Sequence, residues 1–221
     1  MFCFTLLVIL FLLSAFTVAG LATELNLKPQ ALGAGEILEA EQRLAELGYW
    51  AGPIDGVFDS GSRHALVAFQ KVEGRKRTGK LTSAELASLR LAVRPLPRAG
   101  SYAHAEIDLQ RQVLFLVDDS GAVTHILPVC TGNDKSYVDH GQVHRAHTPR
   151  GQFKVIRKIR GTRISSLGLL YYPNYIHEGI AIHGSWTMPA YPDSHGCIRI
   201  PMFTAKKFSE LLPLGTEVIV Y

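Results

Sequence analysis

EIDLQRQVLFLVDDSGAVTHILPVCT, running from Glu106 to Thr131, carries the pattern that decides the fold. With Ala105 just ahead of it, Ile107 and Leu109 alternate with polar neighbours, a period of two that predicts a strand. Val113 to Val117 follows across a tight connection, and Asp119-Ser120-Gly121 turns the chain into Val123 to Cys130, so a β-meander is expected. Further strands are predicted at Gln152 to Ile159, Ile180 to Ile182 and Val218 to Tyr221, with one amphipathic helix near Ala205 to Leu212.

Upstream of this stretch the period changes. Residues 92–102, with Pro95, Pro97 and two arginines, follow neither period and read as a linker. Before them, Leu38, Leu44 and Leu47 form one helical stripe, and Ala65, Leu66, Phe69 and Val72 form a second. Thr82 with Glu85 three residues later is a capping box for a third helix that buries Leu86 and Leu89. Gly48 is placed to end the first helix, and Asp55-Gly56 to turn the loop that follows. The chain therefore reads as α+β in two domains, three helices over 36–91 and a mainly β domain over 103–221.

The first charged side chain is Glu24, and Met1 to Thr23 is dominated by Phe, Leu, Val and Ile. This is expected to be an export segment, either a signal peptide or an uncleaved membrane anchor, placing the remainder in the periplasm or cell wall. No Lys or Arg precedes its apolar core, Leu6 to Val18, so only the terminal amine supplies positive charge there. The three cysteines, Cys3, Cys130 and Cys197, give little basis for a disulfide framework, and Cys130, after an apolar run, reads as a core thiol. The net charge of +4 suits polyanionic surroundings or ordinary solvated surface. Arg75-Lys76-Arg77 is a short loop cluster, so no nucleic-acid partner is expected.

The chemistry concentrates in Ser194-His195-Gly196-Cys197-Ile198-Arg199, preceded by Ile182-His183-Gly184-Ser185. A thiol attacks as thiolate, and a nearby imidazole both takes its proton and stabilises the charge. Gly196 would let the backbone turn sharply and aim amide N–H groups at a developing oxyanion. If the run is extended, His195, Cys197 and Arg199 share one face, and spacing alone does not choose between His195 and His183 as base. His140, His144 and His147 lie in a polar stretch that Gly141, Thr148, Pro149 and Gly151 mark as a loop. No acid accompanies them in a zinc-site pattern, so neither a metal nor another cofactor is expected. Tyr49 and Trp50, beside a Gly- and Pro-containing loop, either present flat faces to sugar rings or fill the core of a small domain, whereas Phe69 belongs to the core.

Two family resemblances extend this reading. LGYWAGPIDGVFDSGSRHALVAFQKVEG, with Thr78-Gly79 and Leu81, resembles the three-helix peptidoglycan-binding domain, which implies wall glycan as a partner and leaves Tyr49 and Trp50 as candidate contacts. The pair IHG and SHGCIR, with Glu106 to Thr131, HTPRGQFKV (147–155) and LPLGTEVIVY (212–221), resembles the L,D-transpeptidases of the YkuD type. That resemblance implies a sandwich- or barrel-like β domain with Cys197 as nucleophile and His183 as base. It gives His195 and Gly196 a supporting place at the oxyanion site, and Arg199 one orienting the site or meeting a substrate carboxylate. Tyr171, Tyr172, Ser194 and Trp186 are the candidate substrate contacts, with Tyr175 nearby.

The implied substrate is a peptidoglycan stem tetrapeptide, cleaved between the L-centre of its third residue, often diaminopimelate, and the terminal D-alanine. The resulting thioester passes to an amine, of a neighbouring stem in a 3→3 cross-link, of a wall protein or of a D-amino acid, with hydrolysis of the same bond, or a non-catalytic wall-binding role, as alternatives. A monomer is expected. Two departures from the family pattern stand out: only thirteen residues separate His183 from Cys197, and Cys130 stands where a serine is more usual.

Overall fold

A computed structural model describes residues 31–221, and the expected export segment lies outside the described residues. The chain opens with α1 (Ala34–Glu46), α2 (Ser60–Val72) and α3 (Ser83–Leu91). Asp59 caps α2 by accepting from the Ser62 N–H at 2.9 Å. Only half of the expected capping box forms on α3. Thr82 Oγ1 accepts from the Glu85 N–H at 3.2 Å, but the Glu85 carboxylate turns to Arg75 Nε at 3.0 Å. The Asp55-Gly56 turn is pinned by a carboxylate that hydrophobic periodicity overlooks. Glu41 of α1 is fully buried and accepts from the backbone N–H groups of Asp55 and Gly56 and from the Ser62 hydroxyl.

The meander follows as β1 (His104–Asp108), β2 (Val113–Val117) and β3 (Val123–Pro128). Next come β4 (Ser136–Asp139), β5 (Gln142–Arg145), β6 (Gly151–Lys154), β7 (Arg157–Lys158), β8 (Thr162–Ser165) and β9 (Gly168–His177). The chain ends with β10 (Ile180–Ser185), β11 (Ile198–Pro201), a 3-10 turn at Met202–Thr204, α4 (Ala205–Leu211) and β12 (Glu217–Val220). One sheet has the order β3-β2-β1-β12-β6; the other runs β11-β10-β9-β7, with β8 also paired to β9.

β2 is buried on both faces, and that explains its unbroken apolar run. Val113, Phe115 and Val117 share a core with Leu44, Leu66, Phe69 and Leu86 of the helices. Leu114 and Leu116 point the other way, into a core with Ile182, Ile198, Ile200 and Phe208. The first sheet is thus the middle layer between helices and second sheet. Among the described residues, no helix is long and apolar enough to cross a membrane.

Several expectations need correction. The polar face of β1 is not solvated. Glu106 is fully buried, and it accepts from the backbone N–H groups of Arg98 and Ala99, so the segment read as a linker is fastened over this face. The predicted strand at Gln152 to Ile159 divides between the two sheets. Val155 N donates to Thr216 O on one side, and Ile156 N to Tyr175 O on the other. The stretch containing His140 and His144 is a hairpin rather than a loop. His140 and Gly141 both take positive φ, 47° and 75°, the geometry of a two-residue turn matched to strand twist.

The candidate wall contacts also change. Tyr49 is only 2% exposed, edge-on to Phe69 at 5.7 Å, and paired along the backbone with Ile126 of β3. Its ring is core and cannot be offered to a sugar. Trp50 is half-buried against His125, with ring centroids 4.5 Å apart, because the chain leaving α1 adds itself to the edge of β3.

Lys71 of α2 sits in the same contact, 1% exposed, with Nζ donating to the carbonyls of Gln112 and Val129, each at 2.9 Å. Burial pushes its pKa down to about 7, with Arg77 acting in the same direction and Cys130 opposing. Between pH 7 and 9 the unfolded chain still binds a proton that folded Lys71 has released, so stability rises with pH there by about 2 kcal/mol. Lys71→Met is expected to flatten that rise in urea-unfolding midpoints compared at the two pH values. An equal rise in the variant would show that the amine does not titrate in this window.

Candidate active site

β10 and β11 run parallel, in the register Ile182↔Ile198 and His183↔Arg199. Cys197 directly precedes β11, so strand alternation brings Ala181, His183, Cys197 and Arg199 to one face. Asn174, fully buried, ties this floor together. Its Nδ2 donates to Tyr172 O and Ile182 O, and its Oδ1 accepts from Ser209 Oγ of α4. Gly184 leaves room for α4: a Cβ there would lie 2.6 Å from the Ala205 methyl.

That face forms the wall of a cleft of about 660 Å³. Cys197 is partly buried, and its thiol donates to Gly179 O at 3.7 Å. Burial pushes the thiol above its usual pKa, while the Ala181 backbone hydrogen bond and Arg199 pull it down. His183 is 5% exposed, and burial lowers its pKa to about 4, against the Gly184 hydrogen bond and with Arg199. Its Nδ1 lies 3.0 Å from Gly184 O, an acceptor only, which assigns the proton to Nδ1 and leaves Nε2 with its lone pair. The resting pair at neutral pH is therefore an uncharged thiol and an uncharged imidazole that has room to accept a proton.

The turn before Cys197 is over-determined. Gly196 has φ 126°, and a Cβ there would lie 2.8 Å from His147 O. Its carbonyl accepts from Thr148 Oγ1 at 2.7 Å, and that hydroxyl accepts from Gly132 N at 2.9 Å. Ser194 is 1% exposed. Although it lines the cleft, its hydroxyl donates to Cys197 O at 2.5 Å and accepts from Gly196 N at 3.1 Å. Both groups are thus engaged within the loop. His195 is exposed at the rim with its ring edge-on to Tyr137, centroids 4.6 Å apart.

Trp186 stands 83% exposed at the cleft's edge. Tyr171 and Tyr172 do not line the cleft. They pack edge to face with each other against the second core, and Tyr175 lines it instead. Cys130 is fully buried and exchanges backbone hydrogen bonds with Arg199; neither it nor Cys197 is in a disulfide among the described residues. Tyr137, Thr148, Arg157 and Arg163 were not singled out from sequence. Of these, Thr148 lies within the HTPRGQFKV run, Arg157 within the strand predicted at Gln152 to Ile159, and Arg163 on a short strand that periodicity does not resolve.

A fold of this kind, with a histidine on one strand and a cysteine just before the neighbouring parallel strand of one cleft, defines a class that comparison identifies. Residues 102–220 match the model of the YkuD L,D-transpeptidase catalytic domain, and residues 34–89 that of a peptidoglycan binding domain. The crystal structure of the L,D-transpeptidase (residues 123–326) from Xylanimonas cellulosilytica is similar, with 36% identity, a TM-score of 0.81, and coverage of 88% of this chain and 97% of that one. An L,D-transpeptidase from Stackebrandtia nassauensis shares the fold at 24% identity and TM-score 0.50, covering 88% and 94%. None of the curated proteins compared matches the chain. The chain belongs to the YkuD L,D-transpeptidase family of enzymes and carries an N-terminal peptidoglycan-binding-type domain.

Proposed function

We propose that the protein is a cysteine-dependent L,D-transpeptidase acting on peptidoglycan stem tetrapeptides. Cys197 attacks the carbonyl between the L-centre of the third residue and the terminal D-alanine, as its proton passes to Nε2 of His183. The imidazolium returns that proton to the departing amine, D-alanine leaves, and a thioester remains on Cys197. An incoming amine from a neighbouring stem is deprotonated by His183 and attacks the thioester, which releases the thiol and forms the cross-link. The observation that carries this reading is the shared face of His183 and Cys197 on adjacent strands, with Nδ1 tethered to Gly184 O.

His195 and the turn at Gly196 support the developing oxyanion in this reading. Because the Gly196 N–H is already donated to Ser194, oxyanion binding calls for that hydrogen bond to loosen or for neighbouring amides to serve. Arg199, half-buried beside His183, orients the site. Met1 to Thr23 exports the protein to the periplasm or wall, and the protein works there as a monomer without metal or cofactor. With Tyr49 in the core, contact with wall polymer falls to the helical module's own groove, which Ile37, Phe58, Arg63 and Leu81 line.

The test is to incubate the protein with purified tetrapeptide muropeptides and to follow both partners by mass spectrometry. A covalent adduct on Cys197 with release of D-alanine, followed by dimeric muropeptide, is the expected result. Tripeptide with no dimer would assign hydrolysis instead of transfer. Absence of any adduct or product would leave a wall-binding role.

A further inference from the structure

The cleft around Cys197 is lined by three arginines, Arg157, Arg163 and Arg199, and by no aspartate or glutamate. Among the described residues none of the three has an acidic partner within salt-bridge distance. Exposed arginines usually have mixed-sign neighbours, so three unpaired in one concavity set a positive potential aimed at an anion.

Their placement follows from strand register. Arg157 is opposite Tyr175, Tyr175 is opposite Ala181, and the pairing of Ile182 with Ile198 places Cys197 beside Ala181. One row therefore crosses four neighbouring chain segments, from Arg157 to the thiol. At a strand spacing of about 4.8 Å the two ends lie roughly 14 Å apart along the backbone. Directly opposed residues share a face, and the guanidinium of Arg157 indeed lies over the Tyr175 ring at 4.0 Å. Arg163 is opposite Leu170, and Leu170, Tyr175 and Ala181 form a single apolar cluster with Cys197 packed against it. The floor between the thiol and the two outer arginines is thus apolar, with Arg199 beside the thiol and Arg157 and Arg163 on the strands beyond it.

Building on the transpeptidase reading, we propose that Arg157 and Arg163 form a subsite for the free side-chain carboxylate of the donor's third residue, a diaminopimelate, and so set donor specificity. A carboxylate meets guanidinium groups in a matched, charge-assisted pair, whereas a carboxamide offers one neutral acceptor, and lysine keeps the ammonium that diaminopimelate also carries but lacks the carboxylate that offsets it. The Arg157 guanidinium, lying over Tyr175, already reaches one strand toward the thiol, and the long diaminopimelate side chain extends from the thiol toward it.

Three tetrapeptide donors test this, identical except for a third residue that is diaminopimelate, its side-chain carboxamide, or lysine. The readout is kcat/KM for thioester formation by intact-protein mass. The wild type is expected to favour the free acid over the amide by about tenfold, carried mainly by KM, and to use the lysine donor least. Arg157→Gln and Arg163→Gln are each expected to bring the acid-to-amide ratio towards one, and Arg163→Lys to restore part of it. Raising the salt concentration should shrink the ratio in the wild type.

Arg163 makes no cation–π contact, so its variants separate charge reading from packing, and unchanged thermal midpoints establish folding. Equal use of acid and amide donors by the wild type would overturn the subsite. So would variants that form thioester and keep the full ratio. A protein that forms no thioester on any donor fails the transpeptidase reading itself, a result distinct from either.

Discussion

Cys197→Ala is expected to abolish acyl-enzyme formation and to lower D-alanine release by at least about 10⁴-fold, to the level of the uncatalysed mixture. The reason is covalent. Every step proposed for this cleft passes through a bond to one sulfur, and Cys130 is fully buried with its backbone bonded to Arg199, so it offers no second nucleophile. Intact-mass spectra of wild type and variant with the same muropeptides give the measurement. Equal product from the variant would remove Cys197 from the mechanism. Cys197→Ser is expected to behave like alanine, because burial that already raises a thiol leaves a hydroxyl further still from ionisation.

His183→Gln is expected to slow acylation by about 10³-fold near neutral pH while the fold persists. Since the thiol is held above its usual pKa and the imidazole at about 4, the resting site contains little thiolate, and the proton must be removed as attack proceeds. The variant loses that acceptor but keeps the thiol, so its rate should recover towards alkaline pH as sulfur ionises. The wild-type rate should show no loss from imidazole protonation until the pH approaches 4. A wild-type rate that falls with a midpoint near 6.5 would mean that His183 titrates as an ordinary histidine and is not the buried base.

The same group affects stability. Between about pH 6.5 and 4 the unfolded chain binds a proton that folded His183 refuses, so folding weakens as pH falls through that window, by up to about 3 kcal/mol. Glutamine at this position should remove that acid sensitivity.

The residues proposed to react are legible because they sit in two short motifs, and the period change at residues 92–102 marks helices from strands. What local pattern missed were contacts made at long range. Glu106 alternates like a solvent-facing residue, yet it is covered by the segment at Arg98 and Ala99. Tyr49 reads as a loop aromatic because its burial depends on β3, more than seventy residues away. β9 escaped notice because Pro173 interrupts it and Tyr172 takes φ 49°; a strand with such irregularities shows no clean period. Without the register of β9, sequence leaves Tyr171, Tyr172 and Tyr175 equivalent as groove or packing residues, and the pairing places only Tyr175 on the cleft. Arg157 and Arg163 carry no local signal, because only the pairing of β7 and β8 with β9 brings them to one cleft.

The common core of α2, β2 and β3 makes the helical module a rigid mount, with neither half on a leash. A flexible tether would let the thiol sweep a sphere of stems around any strand the helices grip, at a local concentration set by linker length. A fixed mount replaces that sphere with one offset and one heading. If the helices grip the wall and the thiol transfers stems as proposed, the enzyme would work at a constant stride from its point of grip, and the spacing of its cross-links would be written into the back of its own sheet.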